Sequence, residues 1–117
     1  MPPRAWKTLL GDVLKSLTKI EEYTRGLDFE EFARDSMRVD AVLYNLTIIG
    51  EAASRVPPQV QLRLHSLPWR QMRGMRNIIV HSYFSLRLAI VWDTVQDDLP
   101  RLAPSINAAL ADEAEDP

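Results

Sequence analysis

The chain contains no cysteine, which excludes a disulfide framework, a thiolate metal site and a cysteine nucleophile together. Histidine is nearly as scarce. Only His65 and His81 occur, too few for a histidine-rich metal site within one chain, so neither a metal nor another cofactor is expected. Gly11, Gly26, Gly50 and Gly74 are scattered, and no phosphate loop or dinucleotide fingerprint can be assembled from them. There is no nucleophile-elbow pattern around a serine. No apolar stretch approaches the roughly 20 residues needed to span a bilayer, and Met1-Pro2-Pro3-Arg4-Ala5-Trp6-Lys7 lacks the apolar run of a signal peptide. The cytoplasm is therefore the expected location, with no membrane partner. Alternating runs and Asn-Gly type turns, the marks of strands, are also missing.

What remains is 117 residues, 46% hydrophobic and 26% charged, a length and balance that predict one globular domain over residues 1–117. A chain this short buries only about two-thirds of its unfolded surface, so an active site is expected in a groove or at a subunit seam. A net charge of -2 and a pI near 5.6 argue against broad nonspecific nucleic-acid binding, and DNA is not an expected ligand. The distribution of charge is more informative than its sum. From Ala52 to Trp92 there is no Asp or Glu, yet Arg55, Arg63, Arg70, Arg73, Arg76 and Arg87 all lie there. Acid gathers instead at Glu21, Glu22, Asp28, Glu30 and Glu31 and in the tail, residues 111–117, which is expected to fray. Solubility favours mixed-sign surfaces, so a long acid-free block reads as an anion-binding face.

Helical periodicity runs through the chain. Trp6, Leu9, Leu10, Val13, Leu14, Leu17 and Ile20 recur at three- and four-residue spacing, as an amphipathic helix requires. Gly26 is a plausible stop, and Asp28 with Glu31 forms a capping-box signature for a short second helix. Ser36 is a candidate N-cap for a third helix carrying Val39, Val42, Leu43, Leu46, Ile49 and Ala53, which Pro57-Pro58 closes. Gln59 to Leu64 could add a turn or two. Pro68 suits the first position of a helix running to about His81. Ser82-Tyr83-Phe84-Ser85 reads as a break, Ser85 as the cap of a last helix through Leu99, and Pro100 and Pro104 as interruptions beyond it. The fold class is all-α: an up-and-down bundle of about four to six helices.

Chemistry concentrates on the Pro68-initiated helix. At about 100° per residue, Arg70, Arg73, Asn77 and His81 form one polar row, with Met72, Met75 and Ile79 on the other side. Guanidinium forks match phosphate oxygens, so Arg70 and Arg73 are candidate phosphate ligands. His81, near a helix C-terminus, is biased toward the protonated form that can deliver a proton to a leaving oxygen. Arg76 stands about 140° from His81 on a regular helix, too far round to serve the same phosphate from one chain. Either the helix unwinds before His81, or a second subunit in a two-fold dimer completes the site. Paired histidines and arginines in such a groove would suit RNA cleavage without metal. Glu51 is the one mid-chain acid of interest, and its plainest reading is a partner for an arginine on a neighbouring helix. Met72, Met75, Trp69 and Trp92 read as packing, and His65 receives no role.

The segment Gly74-Met75-Arg76-Asn77-Ile78-Ile79-Val80-His81-Ser82-Tyr83-Phe84 resembles the Arg-x4-His-x-Tyr signature of HepT-like HEPN toxins. The likeness extends to Leu46 through Ala53, to Pro68-Trp69, and to Ile90 through Val95 with Asp98-Leu99-Pro100, covering about Trp6 to Leu102. It implies a HEPN-like helical bundle that forms a homodimer with the motif at its interface, acting as a metal-independent endoribonuclease. By the same resemblance Arg76 stabilises the phosphorane, Asn77 positions the phosphate or the catalytic groups, and His81 transfers protons. The implied setting is a type VII HEPN/MNT toxin-antitoxin pair, in which an MNT-type nucleotidyltransferase antitoxin transfers AMP to Tyr83. Ser82 and Arg87 stand where the family often carries a glycine after the histidine and an acid near the next helix start. Two other readings stay open on the sequence: a noncatalytic helical subunit that docks a nucleotidyltransferase, and a bundle with no site.

Overall fold

The computed structural model describes residues 3–85 and 87–115, with side chains for residues 6–79 and 87–112. Among the described residues every regular element is helical. Helix α1 spans Pro3–Thr24, α2 Phe29–Arg34, α3 Ser36–Arg55, α4 Pro58–Arg63, α5 Trp69–Ser85 and α6 Leu88–Asp93. A π-helical turn, Thr94–Asp98, and a 3₁₀ turn, Leu99–Arg101, then lead without a gap into α7, Leu102–Glu115. With the continuous α6 to α7 stretch taken as one helix, the described residues form six helices, within the expected four to six.

The local signals act mostly where they stand in the sequence. Gly26 ends α1 in the left-handed region at φ 79°, a conformation that costs any residue with a Cβ. Asp28 caps α2 through the amide of Glu31 while the Glu31 carboxylate accepts from the Asp28 amide, at 2.8 and 3.0 Å. The cap of α3 falls one residue earlier than expected. Asp35, not Ser36, accepts from the Arg38 amide, because the longer carboxylate also holds the Arg38 guanidinium at 3.0 Å. Arg38 in turn donates to the Tyr23 carbonyl at 2.8 Å, tying the end of α1 to the start of α3.

Four further expectations are corrected. Ser82 to Ser85 is not a break: α5 stays α-helical through Ser85, since none of these four residues is a proline or glycine that would interrupt the ladder. Ser85 therefore ends α5 rather than capping the next helix, and α6 begins after Arg87 with no side-chain cap. Pro68 lies just before α5 instead of at its first position, with its carbonyl accepting from the Met72 amide at 2.9 Å. The prolines near the C-terminus change pitch without ending the rod. Pro100 offers no N–H, and around it the ladder switches to π and 3₁₀ bonds, whereas Pro104 falls in the first turn of α7, where an N–H is not needed.

Helix α3 is the central element, packed on α1 along one side and on α5 along the other. Its Val42, Leu46 and Ile49 are fully buried, as are Leu10, Val13 and Ile20 from α1 and Met72 and Met75 from α5. Extents of 49 × 27 × 19 Å make the molecule about two helix diameters thick. With so little depth, α5 has one face in the core and the opposite face in solvent. Trp69 is buried with its indole N–H on the Leu64 carbonyl, and Trp92 packs against Phe29 and Phe32, so both serve as packing. No helix among the described residues is long and apolar enough to cross a membrane.

Candidate active site

Helix α5 forms because Trp69, Met72, Met75 and Ile79 give it one apolar stripe against α3, and that stripe fixes where the polar residues go. Taking Arg76 as the origin, Met72, Ile79 and Met75 lie at about -40°, -60° and -100° around the axis, while Arg73, Asn77 and Arg70 lie at about 60°, 100° and 120°. Burial follows this order only in part, since Arg76 is exposed while Arg73, further round, is not. Arg70 and Asn77 are exposed and Arg73 is intermediate. These three residues share one solvent-facing row, as the spacing predicted. Arg76 sits at the border between that row and the α3 contact.

The side chains of His81 and Tyr83 lie outside the described residues, but their backbone positions belong to α5. Because the helix does not unwind before residue 81, that position falls about 140° from Arg76 and continues the Arg70, Arg73 and Asn77 row. Position 83 falls about 20° from Arg76, two turns further along the same line. The helix therefore separates Arg76 from position 81 and aligns it with position 83.

Arg76 is held across the α3–α5 contact. Its Nη1 donates to Glu51 Oε1 at 2.8 Å, with the side chains 48% and 53% exposed. The expectation that Glu51 pairs with an arginine of a neighbouring helix is met, and the arginine is Arg76. Half-exposed pairs of this kind contribute about 0.2–1 kcal/mol to stability, so the pair matters for geometry more than for folding. At Gly50, the residue before Glu51, the helices come close: a Cβ there would lie 2.8 Å from the Arg76 amide nitrogen and 3.0 Å from the Arg76 Cβ.

Arg73 is held differently. Its Nη1 donates to Gln61 Oε1 at 2.6 Å, and the Gln61 amide donates to the Val56 carbonyl at 2.9 Å and more weakly to that of Ala53 at 3.4 Å. Gln61 thus closes the end of α3 and fixes Arg73 with one amide group. No motif or spacing singles Gln61 out in the sequence. Its only signal there is its place on the short helix after Pro57-Pro58. Because the partner is uncharged, Arg73 keeps its full positive charge. Arg55 and Arg70 are exposed without a hydrogen bond or ion pair among the described residues. Arg63 is drawn off this face, since its guanidinium lies 5.7 Å from the centre of the buried Trp6 ring, a cation–π contact.

The α5 face therefore offers guanidinium groups at two kinds of site: Arg76 braced by a carboxylate, and Arg70 and Arg73 with uncompensated charge. Each retains N–H donors that could meet phosphate oxygens. A groove of about 510 Å³ lies elsewhere, between the C-terminal half of α1 and the π and 3₁₀ turns, and is lined by Leu17, Glu21, Arg25, Val95 and Leu99 among others. Among the described residues its lining includes none from α5. Among the described residues no three His, Asp or Glu side chains gather as a metal site.

A family model described as ribonuclease HepT-like matches residues 13–109, which is most of the chain and takes in all of α5. The chain belongs to the HepT-like ribonuclease family. Among curated relatives, "Probable ribonuclease HepT" of Thermococcus cleftensis is 40% identical over 100 residues, covering 85% of this chain and 90% of the relative. A Methanocaldococcus jannaschii protein named "Putative RNase MJ1380" is 33% identical over 106 residues, 91% of this chain and 97% of its own. No solved structure matches the chain. Within the HepT-like family the all-helical, HEPN-like architecture is the expected one, and the Arg76 to Tyr83 segment falls inside the matched span.

Proposed function

We propose that this protein is a metal-independent endoribonuclease that works as a homodimer, the toxin of a type VII HEPN/MNT pair, with Arg76, Asn77 and His81 as its catalytic residues. The observation that carries this reading is an α5 solvent face bearing Arg70, Arg73, Arg76 and Asn77, in a chain of the HepT-like ribonuclease family. The angular separation of Arg76 from position 81 supports a site shared between two subunits, Arg76 of one facing His81 of the other.

In such a site one imidazole accepts the proton of the ribose 2′-hydroxyl as its oxygen attacks phosphorus. The bond from phosphorus to the 5′-oxygen breaks, and the imidazolium across the groove donates the proton that this oxygen needs to leave. The products are a 2′,3′-cyclic phosphate and a 5′-hydroxyl, with no hydrolytic water in that step. Arg76 meets the charge growing on the phosphorane oxygens, Asn77 orients the phosphate, and Arg70 and Arg73 hold flanking phosphates. The RNA substrate and the absence of a membrane-spanning helix among the described residues fit a cytoplasmic protein.

Regulation follows the same geometry. An MNT-type nucleotidyltransferase would transfer AMP from ATP to the Tyr83 hydroxyl, releasing pyrophosphate. Position 83 shares a line of α5 with Arg76, so the added phosphate and nucleoside would bring negative charge and bulk to the face that must receive RNA.

The test is cleavage of single-stranded RNA by the purified full chain in EDTA. Wild-type protein cuts, leaving cyclic phosphate ends, while Arg76→Ala and His81→Ala do not cut and do not arrest growth. Equal activity in those variants would refute the assignment. Harmless expression, no cleavage and copurification with a nucleotidyltransferase would instead favour a noncatalytic binding subunit. Coexpression with the nucleotidyltransferase should raise the intact mass by AMP units, a gain absent from Tyr83→Phe.

A further inference from the structure

We infer that Glu51 is a positioning residue for the reaction, setting the orientation of the Arg76 guanidinium that receives the substrate phosphate; this rests on the endoribonuclease reading above.

The first observation is one of charge. Glu51 is the last acid before the acid-free stretch from Ala52 to Trp92, and its carboxylate lies on the surface formed by α3 and α5, half exposed, 2.8 Å from Arg76. A carboxylate there repels the RNA backbone and lowers affinity. As a stabilising contact the pair is weak because it is solvated. Its place is explained if it acts through Arg76.

The second observation is one of rigidity. Gly50 lets the α3 backbone approach the Arg76 backbone so closely that a Cβ would lie 2.8 Å from the Arg76 nitrogen. The helices are therefore locked in register at the residue beside Glu51, and the pair spans a fixed distance. The third is one of donor count. Glu51 engages Nη1, leaving further N–H groups of a planar fork whose direction is now set. Removing the carboxylate frees the guanidinium to rotate. The chemical step then suffers through misplacement, while binding gains from one less negative charge.

The experiment measures kcat and KM on a single-stranded RNA oligonucleotide for the full-length wild type, Arg76→Ala, Glu51→Ala, Glu51→Gln and Glu51→Asp, with thermal unfolding as a control for folding. Glu51→Ala should lower kcat by about 10- to 100-fold with KM unchanged or reduced, and Glu51→Gln, whose amide oxygen still accepts from Arg76, should recover most of the loss. Glu51→Asp keeps the charge but is one methylene shorter, so its kcat should fall too. It carries the test if the alanine form does not fold. Wild-type kcat in Glu51→Ala or Glu51→Asp, or a loss confined to KM, overturns the inference. So does a Glu51→Gln form as slow as Glu51→Ala, which would make the carboxylate itself a proton acceptor. Wild-type protein that cuts no RNA, or Arg76→Ala that cuts normally, removes the proposed function; cleavage lost in Arg76→Ala with Glu51→Ala unaffected removes only the role of Glu51.

Discussion

Alanine placed at the three glycines inside helices should have opposite effects, and the sign is set by what each Cβ would meet. Beyond their own helix backbone, Gly11 in α1 and Gly74 in α5 have no heavy atom of the described residues within 4 Å of the new carbon. Alanine there gains helix propensity and restricts the unfolded chain, for about 0.5–1 kcal/mol of added stability each. At Gly50 the same gain is opposed. The Cβ would stand 2.8 Å from the Arg76 nitrogen, 3.0 Å from the Arg76 Cβ and 3.3 Å from the Arg73 carbonyl oxygen, and two of these three atoms are backbone that cannot rotate away. Relief requires α3 and α5 to separate by about half an ångström, enough to forfeit a quarter of the dispersion energy at the atoms that had been optimally spaced. Overpacking of this kind costs about 2–3 kcal/mol, so the net loss is about 1–2 kcal/mol after the propensity gain. At about 4 °C per kcal/mol for a domain of this size, Gly50→Ala should melt about 4–8 °C below wild type and Gly11→Ala and Gly74→Ala about 2–4 °C above it. Thermal unfolding followed by far-ultraviolet circular dichroism at fixed protein concentration reads all three. A Gly50→Ala protein as stable as Gly11→Ala would refute the close crossing of α3 and α5, and with it the fixed geometry of the Glu51–Arg76 pair.

Other consequences can be checked separately. Asp28→Ala removes one half of the α2 capping box and should cost about 1 kcal/mol in urea unfolding, with the m-value unchanged. In a His81→Ala background that holds RNA uncut, Arg70→Ala and Arg73→Ala should each weaken binding and lower the slope of log affinity against log salt by about 0.7 for every phosphate no longer neutralised. An unchanged slope would remove that residue from the RNA path. Gln61→Glu should pair with Arg73 and cancel its charge, giving a slope like that of Arg73→Ala, while loss of the amide that donates to the Val56 carbonyl should cost about 1 kcal/mol in unfolding.

Much of the fold was legible from spacing because a helix writes its buried face into the sequence locally. The Trp6 to Ile20 stripe, the Asp28 and Glu31 box, the stop at Gly26 and the Pro57-Pro58 boundary each depend on residues within a turn or two of one another. The points that spacing misplaced were also local, but there the signals competed. Ser82 to Ser85 carries residues that suit both caps and helices, and their α-helical state is decided by continuation of α5. At the α3 start, Asp35 prevails over Ser36 because it can also bind Arg38.

The polar row of Arg70, Arg73 and Asn77 was likewise determined by the sequence alone, since a helix with Met72 and Met75 in the core must present these residues to solvent. The separation of Arg76 from position 81 is the same kind of fact once α5 is known to run unbroken. What only tertiary structure decided is what holds the arginines. Glu51 precedes Arg76 by 25 residues and Gln61 precedes Arg73 by 12, and no periodicity within one helix relates members of either pair. They meet because Gly50 lets α3 and α5 cross closely and because α4 folds back over the end of α3. Which arginine is braced by a carboxylate and which keeps its whole charge is a property of that crossing.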